Sequence, residues 1–196
     1  MSFRTEEKIL VRDNNDFLVK NYLKSNLAKK LYKSRIIQSL YFDNNTFEMH
    51  QHSEEGIVPR KKIRIRSYPN YDNKYFLEVK ISSVEGRFKK SNEVSNGQFL
   101  KFFKNGIFDK LYGHCKPIIY VKYLREYFLI KNTRITYDKN IEYLNLKKRL
   151  IGKENSSVLE LKPNYGKSLD ELYLDFPFDR IRYSKYSFGI NKFNNL

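Results

Sequence analysis

The chain has 196 residues, enough for one large domain or two small ones, and 40% are hydrophobic, with bulk supplied mainly by 16 Tyr and 15 Phe. Aromatic enrichment beside only 8 Gly and 5 Pro argues against disorder and for a β-rich globular protein. The net charge of +16 implies attraction to polyanions such as nucleic acid, an anionic membrane or phosphate compounds, and the single Cys excludes a disulfide framework and a Cys-based zinc site.

Along the chain, Glu6 to Arg12 alternates as a strand, with Ile9 and Val11 on one face and Glu6, Lys8 and Leu10 on the other. Asp13 to Asp16 supplies turn and capping residues, and Phe17, Leu18, Tyr22, Leu23 and Leu27 recur at helical spacing. Ser34 to Phe42 reads as a strand, Thr46 to His52 as a short helix ended by Glu55-Gly56, and Arg60 to Tyr68 as a strand. A turn at Pro69 to Asn73 leads into a strand from Tyr75 to Ile81, giving an antiparallel hairpin. Arg87 to Lys90 starts another strand, and Gly97 to Phe108 has helical spacing. Ile118 to Leu129, Thr133 to Asp138 and Val158 to Lys162 read as strands, with a turn at Gly152 to Asn155, and Ser168 to Leu174 as a short helix. The tail from Arg182 to Asn195 is polar and aromatic without an assigned element. No repeat, linker or boundary divides the chain, so residues 1–196 are read as a single domain. Met1 to Glu7 lacks the apolar core of a signal peptide and no run is long enough to span a bilayer, so a cytoplasmic setting is expected. His50 and His52 lie two apart on a helical segment and point away from each other, which argues against a His metal site.

The most informative strand is Arg60 to Tyr68. Arg60, Lys62, Arg64, Arg66 and Tyr68 project from one face at roughly 7 Å spacing, while Ile63 and Ile65 project from the other. Like charges in a row repel, so an extended anion is expected against them. Other strands repeat the pattern: Glu78 and Lys80 oppose Leu77, Val79 and Ile81; Arg134, Thr136 and Asp138 oppose Ile135; Glu160 and Lys162 oppose Leu159 and Leu161. Such strands can close into an antiparallel barrel with charge inside, its apolar exterior covered by amphipathic helices, an α+β architecture.

The order of these segments resembles the VTC domain, the catalytic domain of the vacuolar transporter chaperone polyphosphate polymerases, within the triphosphate tunnel metalloenzyme or CYTH superfamily. The matching pieces are Arg4-Thr5-Glu6-Glu7-Lys8, Ser39-Leu40-Tyr41-Phe42-Asp43-Asn44, Lys62-x-Arg64-x-Arg66-x-Tyr68 and Phe76-Leu77-Glu78-Val79-Lys80, followed by Tyr123-x-Arg125-x-Tyr127, Arg134-Ile135-Thr136-x-Asp138, Leu159-Glu160-Leu161-Lys162 and Tyr183-Ser184-Lys185-Tyr186. Many tunnel enzymes begin Glu-x-Glu-x-Lys. Here Glu6 is the one acidic match, which favours the VTC branch over the triphosphatase branch.

The resemblance implies a closed eight-stranded antiparallel tunnel with a charged interior and flanking helices. It implies that Lys8, Arg64, Arg66, Lys80, Arg134 and Lys185 bind reacting phosphates, with Lys62, Tyr68, Lys89, Arg125, Thr136, Lys162, Ser184 and Tyr186 as further substrate contacts. Glu160, with Glu6 and Glu78, would hold Mn²⁺ or Mg²⁺. The implied reaction passes the γ-phosphate of ATP to inorganic polyphosphate, with triphosphate hydrolysis as the alternative. The family's polymerases also carry an N-terminal regulatory domain and a membrane anchor; this sequence departs from them in showing neither, so a stand-alone domain is expected, with room for a membrane-protein partner that the sequence does not reveal. A non-catalytic binder of polyphosphate or RNA is the third class. No specific nucleic-acid partner is expected, since Ile rather than aromatic residues separates the basic positions.

Overall fold

The computed structural model describes residues 7–12, 15–69, 71–163 and 181–194. Its elements are β1 (Glu7–Arg12), α1 (Asp16–Ser25), β2 (Lys29–Asp43), α2 (Glu48–Glu55), β3 (Arg60–Tyr68), β4 (Asp72–Ser83), β5 (Gly86–Val94), α3 (Asn96–Asn105), β6 (Ile107–Asp109), β7 (Gly113–Ile130), β8 (Thr133–Leu144), β9 (Leu150–Lys153), β10 (Ser156–Pro163) and α4 (Lys185–Asn194). Eight strands run in the order β1-β10-β8-β7-β2-β3-β4-β5, with β6 on β7 and β9 on β8 off this path. Every pairing is antiparallel.

Alternation sorts the two faces of the sheet. Ile9, Val11, Ile135, Tyr137, Leu159 and Leu161 point outward from β1, β8 and β10 and bury against Val19, Tyr22 and Leu23 of α1. On the β2–β4 side, Tyr75 stacks on Phe99 of α3 at 4.3 Å between ring centres, and Phe102 and Phe103 join the same core. A reciprocal capping box between Ser95 and Gln98 starts α3. The opposite, concave face carries the charges.

The expected closed eight-stranded barrel is not formed: the sheet has ten strands and is not closed, since β1 and β5 end the path without pairing to each other. Lysines stand on both end strands, Lys8 on β1 and Lys89 on β5. A main-chain segment instead links β1 to β3. The Ile181 amide donates to the Lys8 carbonyl at 2.9 Å, Lys8 Nζ donates to the Tyr183 carbonyl at 2.7 Å, and Lys62 Nζ donates to Ser184 Oγ at 2.7 Å.

The tail read from sequence as unassigned forms α4, whose Tyr186 and Ile190 are buried beside Tyr41, Ile119 and Tyr143. A Cβ on Gly189 would lie 2.9 Å from Tyr143 Cδ1 and 3.1 Å from Ile119 Cδ1, so glycine permits this close approach. α4 thus fills the apolar part of the concave face over β2, β7 and β8. Asp43 anchors it: its fully buried carboxylate accepts bonds from the Asn44, Met49 and His50 amides and from the Tyr186 hydroxyl, joining the first turn of α2 to α4. Two further expectations shift. The helix read over Gly97 to Phe108 stops at Asn105, and residues 107–109 pair with β7; the turn read at Gly152 to Asn155 is partly β9. The helix read over Ser168 to Leu174 lies outside the described residues.

Candidate functional site

The concave face gathers side chains from β1, β3, β4, β5, β7, β8, β10 and α4. On one wall, Glu78 sits under three cations. Arg64 Nε and Nη2 lie 2.8 and 2.6 Å from its Oε2, Arg66 Nη1 lies 3.7 Å from the same oxygen, and Lys89 Nζ lies 2.5 Å from Oε1. Arg64 Nη1 also donates to the Tyr41 hydroxyl at 2.9 Å. The ring of Tyr41 stacks on Tyr186, whose own hydroxyl is committed to Asp43. Tyr186, expected as a substrate contact, therefore reaches the basic row through Tyr41. Arg66 is 7% exposed and donates to Tyr123 Oη at 3.3 Å and Ser39 Oγ at 3.5 Å.

On the facing wall, Arg125 holds Asp138 through two bonds of 2.5 and 2.7 Å and approaches Glu160 at 3.6 Å. Lys185 lies 2.6 Å from Asp138, and Lys162 lies 3.3 Å from Glu160. Thr136 Oγ1 donates to Glu160 at 3.5 Å. Lys62 and Lys80 are directly opposed in the β3–β4 register, and Lys80 and Lys89 in the β4–β5 register. Electrostatic coupling of Lys8 and Lys80 to both Lys62 and Glu160 spans the two walls.

Nine cations (Lys8, Lys62, Arg64, Arg66, Lys80, Lys89, Arg125, Lys162 and Lys185) thus surround three carboxylates, Glu78, Asp138 and Glu160. Burial works against the charge of each acid and is overcome. Arg64, Arg66 and Lys89 hold Glu78 far below its usual range; Arg125 and Lys185 lower Asp138; Lys162, Arg125, Lys8 and Lys80 pull Glu160 well down. Burial likewise opposes ionisation of Tyr123, yet Arg125, Arg66 and Lys185 lower its phenol. Lys62 moves the other way for a cation: burial, then Lys8, Lys80 and Arg60, depress it well below an ordinary lysine. The excess positive charge is an electrostatic trap for a polyanion.

Lys62 carries a prediction. A triphosphate placed here would offset the repulsion from Lys8, Lys80 and Arg60, raise the Lys62 pKa and draw in a proton. Calorimetric titration with tripolyphosphate at a pH between the depressed and ordinary lysine values, in buffers of different ionisation enthalpy, should reveal net proton uptake. The uptake should be lost in Lys62→Met. Equal heats in all buffers would refute it.

Of the other expected residues, Arg134 shares a face of β8 with Thr136 and Asp138 but is exposed at the strand end, opposite Lys162. Tyr68 ends β3 and meets Phe76 edge-on at 6.0 Å. Ser184 accepts bonds from Lys62 and from the Ser187 amide, at the start of α4. Glu6 lies outside the described residues. Asp138 received no role from sequence, although its alternation with Arg134 and Thr136 marked it as facing the same way. Tyr41 and Tyr123 carried no such signal, because aromatic residues are abundant throughout.

The described residues hold no group of three His, Cys, Asp or Glu side chains able to bind a metal ion. Glu78 is taken up by its three cations, and Glu160 has cations close by. This donor set fits a divalent ion that shares Glu160 with the phosphates of a bound polyanion, whose charge offsets the surrounding cations, and does not fit an ion held by protein carboxylates alone.

The sequence profile of the VTC domain matches residues 3–116 and 110–194. The chain belongs to the VTC domain family. No curated protein matches its sequence. Solved structures share the fold of this VTC domain. One, from Bacillus halodurans, is a protein proposed to be an adenylate cyclase (12% identity, TM-score 0.66, covering 93% of this chain and 94% of that one). Another, from Hippeastrum, is a proposed adenylyl cyclase described as having a dominant triphosphatase activity (16% identity, TM-score 0.63, covering 95% and 96%). A third, from Vibrio parahaemolyticus, is again a proposed adenylate cyclase (15% identity, TM-score 0.62, covering 97% and 98%). These likenesses show a shared fold. Among the described residues, no helix of the VTC domain is long and apolar enough to cross a membrane.

Proposed function

We propose that this VTC domain is a metal-dependent phosphotransferase that moves the γ-phosphoryl group of ATP onto the end of an inorganic polyphosphate chain within the basic channel. The observation that carries the reading is the convergence of Arg64, Arg66, Lys80, Lys8, Arg125 and Lys185 from separate elements onto one concave face, with far more cationic than anionic side chains. Phosphoryl transfer asks for in-line positioning and neutralisation of charge, and little covalent work. The attacking group is itself a phosphate oxygen, so no strong general base is needed. Arg64, Arg66 and Arg125 would grip phosphate oxygens with planar forks, while Lys8, Lys80 and Lys185 act as mobile point charges. Glu160, with Thr136 fixing one of its oxygens, would hold Mn²⁺ or Mg²⁺ together with the substrate phosphates. The ion would supply further charge neutralisation on the transferred and leaving oxygens.

A second reading, hydrolysis of tripolyphosphate or a nucleoside triphosphate, is favoured by the fold shared with the Hippeastrum protein described as having a dominant triphosphatase activity. Product analysis separates the two. With ATP, Mn²⁺ and a short polyphosphate primer, lengthening of the primer with matching ADP release is expected, and Glu160→Gln should reduce it roughly 100-fold, the scale of one lost electrostatic group. Release of orthophosphate alone, with no primer growth, would overturn the polymerase reading in favour of the hydrolase.

A further inference from the structure

At the end of the channel bounded by the β3–β4 turn, the lining changes from lysine to tyrosine. Arg35 of β2 lies directly opposite Arg125 of β7 in the register, one rung from the anion-binding cluster. The Arg35 guanidinium carbon lies 3.9 Å from the ring centre of Tyr71, with Tyr32 at 5.5 Å and Tyr127 at 5.9 Å. Tyr32 and Tyr127 meet edge to face at 5.4 Å, and Tyr127 couples electrostatically to Tyr68. The Tyr71 amide bonds to the Tyr68 carbonyl, so the turn carries Tyr71 over the end of β3.

Three features separate this collar from ordinary packing. Tyr71 and Tyr32 are 62% and 52% exposed, so their faces are not spent on a core. The Nε of Arg35 is buried with no hydrogen-bond partner among the described residues, leaving a donor unmatched. Register shifts fall between Tyr32 and Arg35 in the β2–β7 pair and between Ser67 and Tyr68 in the β3–β4 pair, and such irregularities re-aim side chains beside sites.

We propose that Tyr32, Arg35, Tyr68, Tyr71 and Tyr127 form a subsite for the planar base of a nucleoside triphosphate whose phosphate tail enters the channel past Arg125. The inference rests on the phosphate-binding reading given above and specifies the substrate end that reading leaves open. Stacked rings and a guanidinium plane suit a purine or pyrimidine face. A bare tripolyphosphate has nothing to place there.

The test compares ATP with tripolyphosphate by calorimetry, in the wild-type chain and in Tyr71→Ala and Arg35→Ala. Tyr71 is exposed, so its replacement leaves the fold intact. Loss of one stacking partner should weaken ATP binding about tenfold in Tyr71→Ala, with tripolyphosphate affinity changed less than twofold. Tyr71→Phe should restore ATP binding. Parallel losses for both ligands, or unaltered ATP affinity in both variants, would overturn the base subsite while leaving phosphate binding intact. Failure of the wild-type chain to bind either ligand would instead remove the phosphate reading and the subsite with it.

Discussion

Arg64→Ala is expected to slow phosphoryl transfer about 100-fold while the protein stays folded. Arg64 is the hub of one channel wall, joined to Glu78 through two nitrogens and to Tyr41 through a third. Its guanidinium pKa is raised although burial opposes the charge, because Tyr41 and Glu78 favour it. Removing one preorganised electrostatic donor costs about 3 kcal/mol of transition-state stabilisation. The fold survives because Glu78 retains Arg66 and Lys89. Arg64→Lys keeps a charge but loses the fork, and should recover only part of the rate. Turnover at saturating substrate, with thermal unfolding of the same samples, checks both statements. Wild-type turnover in Arg64→Ala would remove this wall from the reaction.

Arg125→Met should have the largest effect on stability. Asp138 is fully buried and its main compensating charge is the two-bond grip of Arg125, which also reaches Glu160. Breaking a buried pair by removing one partner costs about 3–5 kcal/mol, since the remaining charge stays out of water. For a chain of this size that corresponds to a fall in Tm of roughly 10 °C. The double variant Arg125→Met/Asp138→Asn should regain part of the loss, because Asp138 no longer carries a buried charge that Lys185 alone must offset. The sign of the pH effect follows from linkage. Asp138 has a lowered carboxyl pKa in the folded protein, so its contribution is present above the unfolded value near 4 and is lost as pH falls through the lowered one. Without Arg125 the Asp138 pKa rises, so acid unfolding of the single variant should begin at a higher pH than in wild type. A single variant losing under about 1 kcal/mol, with an unmoved acid transition, would contradict the buried-pair account.

The charged face was legible because strand alternation is a local property. Arg64, Arg66, Lys80 and Glu160 could be assigned to one side without knowing what lay opposite. The partnership of Glu78 with Arg64 was not legible, because it is set by cross-strand register, which periodicity does not fix. Glu78 was consequently expected as a metal ligand, and in the fold it is enclosed by cations. α4 escaped notice for a related reason: Tyr186, Ser187, Phe188 and Gly189 have modest helix propensity, and the helix is stabilised by tertiary contacts with Asp43, Tyr143 and Ile119. Closure was overestimated because matching charged strands say which way each face points and nothing about whether the first and last strands meet.

The open path of the sheet has a mechanical consequence. Residues 181–184 tie β1 to β3, through Ile181 and Tyr183 on Lys8 and Ser184 on Lys62. With no ladder between β1 and β5, the spacing of the two end strands can adjust without breaking a backbone rung between them.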